Sequence, residues 1–437
     1  MPRYEGDYYA ATARTMFAAP VLQHDLDVDV CIVGGGFAGL NTALGLVERG
    51  VGRVALLESR VVGYGASGRN GGFVFGGFSR GEDALLHELG GERARQLYGL
   101  TTQAVRTIRQ RVDAYDIDCE PVDGGVIWAN WFADSAVLKE RQTLLREAYG
   151  VEWSWQDREQ MRSRVASDRY AEGLYEASAF HFHPLAYARG LARVLATRGA
   201  HIHEHSPATG LCRDGRRWHV RTPQGSVRAT QVVLACGGYL AGLSRKVDAS
   251  VLPIATYVMV TEPLGDRMGD ILRTPAAVYD TRFAFDYYRP LPDSRLLWGG
   301  RISVLDRSPI EVERLLVADM LRVFPQLADI SVDYAWSGLM SYASHQMPHV
   351  LQPEPGLWVA QAFGGHGVAP TTAAGELVAA AIAHGDEGWK MLSRYNLSSA
   401  FKPAGFVAAQ ASYWWAQAKD AMRDRFEYLS GRRRSAR

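Results

Sequence analysis

Six residues between two short apolar runs constrain this chain more than anything else in it. Val28-Asp29-Val30-Cys31-Ile32-Val33 reads as a strand and ends directly in Gly34-Gly35-Gly36-Phe37-Ala38-Gly39. A helical stretch follows from about Ala38 to Arg49, closed by Gly50, and a second apolar run, Val54-Ala55-Leu56-Leu57, ends at Glu58. Strand, tight turn, helix and strand within some thirty residues make one βαβ unit. In the GxGxxG pattern, Gly34 permits the tight turn, Gly36 lets backbone approach a pyrophosphate, and Gly39 lets helix and strand pack closely. The phosphate charge then meets the positive helix end beside Phe37 and Ala38. Glu58 stands nineteen residues after Gly39, where a carboxylate accepts both ribose hydroxyls and repels a 2′-phosphate. With its neighbours Ser59 and Arg60 it points to an adenine dinucleotide lacking that phosphate.

Two further glycine turns extend the expected site. Gly65-Ala66-Ser67-Gly68-Arg69-Asn70-Gly71-Gly72, with so many glycines, one Arg and one Asn, suggests backbone laid against a flat ligand. A nicotinamide does not need this second loop, whereas a flavin does, over its longer path. Gly364-Gly365-His366-Gly367-Val368 lies between the run Leu357–Ala360 and an Ala-rich helix expected over Thr372–His384. A positive helix end there would stabilise an anionic reduced flavin. The strand Gln231–Cys236 stops at Gly237-Gly238, and Gly237 joins the same expected set.

At 437 residues the chain exceeds the ~250–300 that one core usually serves, so two domains are expected. The pattern predicts an α/β fold: a Rossmann-type dinucleotide-binding domain with an inserted α+β substrate domain on a mostly antiparallel sheet. The first would draw on 27–85, 185–250 and 345–385, the second on 86–184 and 251–344. Residues 386–437 would form a C-terminal helical extension with a basic tail. A net charge of +1 argues against a nucleic-acid partner. No apolar run reaches the ~18 residues of a membrane span, and Met1–Asp7 opens without an apolar leader. Cys31, Cys119, Cys212 and Cys236 form no CxxC pair, which speaks against a zinc ribbon or disulfide framework. The expected location is the cytoplasm.

Other clusters stay open between chemistry and packing. His201, His203 and His205 alternate on an expected third parallel strand and are read as rim residues, so no metal is assigned. His181 and His183 precede Pro184 at a helix start, as packing or hinge residues. Phe283-Ala284-Phe285-Asp286-Tyr287-Tyr288-Arg289, read as a strand, either walls an amine pocket or packs between domains. Tyr413, Trp414 and Trp415 lie in a C-terminal stretch that could dock on the body, pair two copies or rest peripherally on a membrane; docking is preferred.

These motifs resemble the D-amino-acid-oxidase-like (DAO) flavoproteins, and within them the γ-glutamylputrescine oxidoreductases. The resemblance rests on Asp29–Gly36, Gly65–Gly72, Val165–Tyr170, His183-Pro184-Leu185, Asp286–Arg289, Arg295–Gly300 and Gly365–Val368. It implies a non-covalent FAD enzyme that oxidises an amine C–N bond by hydride transfer, leaving an imine that hydrolyses, with oxygen or another acceptor taking the electrons. Carried over, Gly34, Gly36 and Gly39 would hold the pyrophosphate, Glu58 the adenosine ribose, Ser67, Arg69, Asn70, Gly71 and Gly72 the flavin side, and Gly365–Val368 its pyrimidine edge. Related sarcosine oxidases attach flavin through a cysteine near Met340-Ser341-Tyr342 and use a lysine where this chain has Arg295–Arg301; neither residue is present. His366, Tyr288 and His345 are the candidates for steering loss of the amine proton. The alternative substrate is a cyclic, N-methyl or D-amino acid such as pipecolate or sarcosine, with Arg69, Arg289 or Arg301 facing its carboxylate. A flavin-binding protein without turnover is the reading from another class.

Overall fold

The computed structural model describes residues 6–435. Met1–Glu5 of the N-terminus, and Ala436 and Arg437 of the basic tail, lie outside the described residues, as do the side chains of 428–435.

The first sheet grows from the βαβ unit. Strand β1 (Asp25–Val33) runs parallel to β2 (Val54–Leu57) on one side, and helix α1 (Phe37–Glu48) crosses between them. Helix α2 (Pro184–Thr197) leads to β3 (His201–His203), parallel to β2, and β4 (Ser226–Leu234) lies parallel to β1 on its other side. Strands flanked on both sides and covered on both faces bury continuous apolar runs, which is why Val30–Val33 and Val54–Leu57 do not alternate. The turn Gly215-Arg216 joins the hairpin strands Gly210–Asp214 and Arg217–Arg221, the second of which pairs with β4. His183 caps α2, its Nδ1 accepting from the Ala186 N–H at 3.1 Å, and Pro184 fills the first helical position.

The second sheet has eight strands. Its long strands begin with β5 (Leu252–Thr261), followed along the chain by β6 (Ala277–Asp280), β7 (Tyr287–Pro290), β8 (Leu296–Ser303) and β9 (Val332–Tyr342). The spatial order is β9-β5-β8-β7-β6, then Val126–Ala129, Gly173–Glu176 and Ser154–Gln156. All pairs are antiparallel except β6 with Val126–Ala129. The helix Pro309–Val323 closes its outer face over Tyr288, Trp298 and Phe324.

The chain then returns to the first sheet through β10 (His349–Glu354) and β11 (Leu357–Gln361), giving the order β10-β11-β4-β1-β2-β3. Helix α3 (Val368–His384) packs on α1 so tightly that a Cβ on Gly375 would sit 2.7 Å from the Thr42 nitrogen. It starts four residues before the expected Thr372. Pro370 falls in the first turn, where its missing N–H costs no hydrogen bond. The last element, α4 (Ala404–Ser435), is one continuous helix. It docks by its polar groups: Gln410 Oε1 accepts from Ser303 Oγ and the Val304 N–H, and Asp424 pairs with Arg169 and Arg322. Trp414 and Trp415 remain exposed on its outer side. Among the described residues no helix is long and apolar enough to cross a membrane.

Candidate functional site

A cavity of about 830 Å³ runs from the start of α1 to the second sheet, at the upper end of what ligand sites usually occupy. Gly36 is the N-cap of α1 and supplies no side-chain cap; the Phe37 N–H donates to Ser67 Oγ at 2.8 Å, and the next donors of the first turn are left without a side-chain partner. The glycine roles separate sharply. Gly34 has φ +115°, and a Cβ there would lie 2.6 Å from the Ala235 carbonyl oxygen. A Cβ on Gly36 would meet only Ser67 Oγ at 2.9 Å, in space open to a ligand. On Gly39 it would strike the Gly34 carbonyl at 2.0 Å. Gly39 therefore brings helix against strand and does not line the cavity, which corrects its assignment as a ligand contact.

Glu58 lines the same end, buried at the tip of β2. Its Oε2 accepts from the Gly35 N–H and its Oε1 from the Arg60 N–H, both at 2.8 Å. Ser59, Arg60, Ser67, Arg69, Asn70, Gly71 and Gly237 also face the cavity. Asn70 rigidifies its loop: Nδ2 donates to Ser67 O at 2.9 Å and Oδ1 accepts from the Gly72 N–H at 2.8 Å. Gly72 itself lies behind the wall, where a Cβ would press on Phe182 O at 2.2 Å and on the Arg289 guanidinium. Its assignment as a cofactor contact is corrected to a packing role.

The third glycine turn closes the other end. Gly364 through Val368 all line the cavity, and Gly367 caps α3 without a side-chain bond, so a second open helix N-terminus points inward. His366 rests edge-on against Phe75 with ring centroids 4.8 Å apart. Its Nδ1 is buried without a hydrogen-bond partner, and burial, aided by the nearby Arg141 charge, pushes its pKa down to about 4. The ring is neutral at pH 7.

The other two proposed proton-steering residues are elsewhere. Tyr288 stacks on Trp298 in the core of the second sheet, rings 4.5 Å apart and 1° from parallel, because side chains alternate along β7 and its neighbour Tyr287 takes the cavity face. His345 is outside the cavity, its Nε2 3.2 Å from His349 Nε2 and 3.3 Å from the Asn396 carbonyl. Arg289 is also removed from any substrate. It is buried behind the flat-ligand loop and donates to Gly71 O at 2.7 Å and Phe182 O at 2.9 Å.

Sequence reasoning missed several lining groups: Tyr64, Phe73, Phe75, Tyr239, Tyr279, Tyr342 and Tyr413 join Phe283, Phe285 and Tyr287 in an aromatic enclosure. Residues 281–286 are a loop and not the expected strand. Arg282, bridging Asp280 and Asp286, folds the chain back and carries Phe283 and Phe285 into the wall. The signal for Tyr413, an aromatic in the C-terminal stretch, was present but had no local indication of direction. Cys236 borders the cavity with Sγ donating to Val33 O at 3.2 Å, and burial pushes its thiol up to about 12.

These groups fit a dinucleotide joined to a flat ring system: two helix N-termini whose N-cap glycines bring no side chain, a glycine surface without Cβ atoms, and a buried carboxylate at the tip of β2. Residues 29–381 match the DAO family model, described as FAD dependent oxidoreductase. The chain is 34% identical over 381 residues to the γ-glutamylputrescine oxidoreductase of Escherichia coli, covering 87% of this chain and 89% of that protein. Among solved structures it shares its fold with glycine oxidase from Geobacillus kaustophilus, at a TM-score of 0.71 and 22% identity over 85% of this chain and 99% of that one. L-proline dehydrogenase from P. horikoshii aligns with a TM-score of 0.71 and 18% identity over 84% of this chain and 96% of that one.

Proposed function

The chain belongs to the DAO family of FAD dependent oxidoreductases, which act on amine and amino-acid C–N donors, and from that premise we propose that it oxidises a γ-glutamylputrescine-like polyamine derivative. One observation carries the substrate class. The cavity wall away from the nucleotide end is aromatic, and among the described residues the one acidic residue lining the cavity is Glu58, at the nucleotide end. An alkylammonium is drawn to aromatic faces there without a carboxylate to hold its proton.

When bound, FAD supplies a two-electron acceptor for the hydride on the carbon next to nitrogen. The residues prepare that carbon. Gly34, Gly36, Phe37 and Ala38 hold the pyrophosphate end, Glu58 the ribose, and Ser67–Gly71 with Gly364–Val368 the ring. An alkylamine has a pKa near that of lysine, ~10.4, and hydride leaves only from its neutral form. The low-dielectric aromatic enclosure disfavours the ammonium, so the amine enters in its neutral form and leaves its proton with solvent, and neutral His366 adds no charge to the enclosure. Loss of hydride leaves an iminium ion that water hydrolyses to a carbonyl and a freed amine. FAD is held without a covalent bond, as the lack of a cysteine at Met340-Ser341-Tyr342 implies, and the enzyme works in the cytoplasm. Electrons pass on to oxygen or another acceptor.

Anaerobic addition of amines to the FAD-loaded protein tests this. Bleaching of the flavin bands by γ-glutamylputrescine, and not by pipecolate or sarcosine, is expected. Bleaching by an amino acid alone would move the substrate to that class and make Arg69 and Arg301 the carboxylate partners.

A further inference from the structure

A second, smaller cavity of about 110 Å³ opens where α4 crosses the second sheet. Ala284 and Arg301 line both cavities, so the two share a wall. Its polar lining is mixed in sign: Arg301, Arg322 and Arg282 on one hand, Asp319 and Asp420 on the other. Such a lining does not select a simple cation or a simple anion.

Each of these groups is fixed. Arg301 has φ +58°, a left-handed conformation uncommon for a residue with a side chain, at the bulge where β8 and β5 lose register. Its Nε and Nη2 donate to the two Asp319 oxygens at 2.6 and 2.9 Å, while Nη1 has no partner among the described residues. Asp420 Oδ2 accepts from the Phe283 N–H at 2.8 Å, which ties α4 to the loop carrying the aromatic wall, and its Oδ1 is unengaged among the described residues. The Trp131 indole forms an apolar floor beneath the Arg282 guanidinium, 3.6 Å from its centroid.

One open donor on an arginine and one open acceptor on an aspartate, in a chamber with room for several water-sized atoms, match the carboxylate and ammonium of an α-amino acid headgroup. We propose that this chamber is a distal subsite that binds the zwitterionic headgroup of the substrate while the amine chain extends past Ala284 and Arg301 toward the aromatic cavity. The subsite rests on the amine reading above and adds what that reading lacks, a reason for a substrate to carry a polar acyl end. It also assigns α4, which lies beyond the family-matched residues, a part in specificity: Gln417, Asp420 and Ala421 line the chamber, and Gln410 holds the segment after Arg301.

Calorimetric titration of the FAD-loaded enzyme with γ-glutamylbutylamide, which keeps the headgroup but lacks the oxidisable amine, tests the subsite without turnover. N-acetylbutylamine, without the headgroup, is the control. Wild type is expected to bind the γ-glutamyl ligand at least tenfold more tightly. Ala421→Leu, which fills the chamber, should erase that difference with the flavin spectrum unchanged. Arg301→Lys, which keeps the charge but loses the fork, is the second variant should the first fail to fold, and it should also reduce the difference at least tenfold. Equal binding of the two ligands to wild type, or discrimination intact in a folded variant, overturns the subsite. Failure of γ-glutamylputrescine to bleach the flavin would instead overturn the amine reading, so the two failures are told apart.

Discussion

Tyr287 and Tyr288 are adjacent in sequence and serve opposite sides of the second sheet. Tyr287 packs edge-on against Phe73 at 5.6 Å and lines the large cavity, whereas Tyr288 lies flat on Trp298 at 4.5 Å in the core behind it. Truncating them should therefore separate catalysis from stability. Tyr288→Ala is expected to destabilise the fold by about 3–5 kcal/mol, the usual cost of deleting a buried aromatic, while Tyr288→Phe leaves amine oxidation within about twofold of wild type. Tyr287→Ala should lower kcat/KM at least tenfold. Thermal melts paired with steady-state rates check this; a large loss of turnover in a well-folded Tyr288→Phe protein would contradict the assignment of faces.

The glycine turn makes a graded prediction. Gly39→Ala places a methyl 2.0 Å from a backbone oxygen, and only displacement of α1 relieves it. Gly36→Ala meets a single rotatable hydroxyl at 2.9 Å. The ratio of flavin absorbance to protein absorbance after purification should collapse for Gly39→Ala. For Gly36→Ala the fold survives with weakened FAD binding, because the methyl occupies space meant for the pyrophosphate.

Stability should fall on mild acidification. Burial pushes His181, His183 and His349 down to about 3 and His366 to about 4. Below their ordinary value of 6.5 the unfolded chain binds protons that the folded one refuses, so unfolding is favoured as pH drops from about 6.5 toward 4. A urea midpoint that stays level from pH 7 to pH 5 would contradict this.

Glu176 works with the opposite sign. It is enclosed near Arg141 and Glu82, and burial pushes its carboxyl up to about 7 from an ordinary 4.5. The folded state holds this proton where the unfolded chain has lost it, so its contribution is complete below about 4.5 and lost as pH rises through 7. Glu176→Gln should gain stability relative to wild type between pH 5 and pH 8, by an amount that grows with pH. Urea midpoints of the two proteins measured side by side decide it.

Flavin attachment has a direct assay. With Cys236 protonated and hydrogen-bonded to Val33 O, denaturation in guanidinium followed by ultrafiltration should release all yellow colour into the filtrate. Colour retained with the protein, and lost in Cys236→Ser, would establish a covalent bond instead.

The amino-acid sequence by itself determined the α/β class, the βαβ start and the dinucleotide end of the site. Those features are local: a tight turn, a backbone that must come close to a ligand, and a carboxylate at a strand tip are each written within a few residues of Gly34, Gly36 and Glu58. His366 was also legible, because its glycine turn directly precedes a helix. The substrate side was not. Whether Tyr287 or Tyr288 faces the cavity depends on the register of β7 against β8, one residue's shift of which exchanges the two faces. His345 was set aside by its contact with His349 and Asn396, and Tyr413 was recruited by a helix more than a hundred residues from the strands it docks on. Such placements come from long-range packing and ion pairs, which have no period or motif to read, and only the tertiary structure decided them.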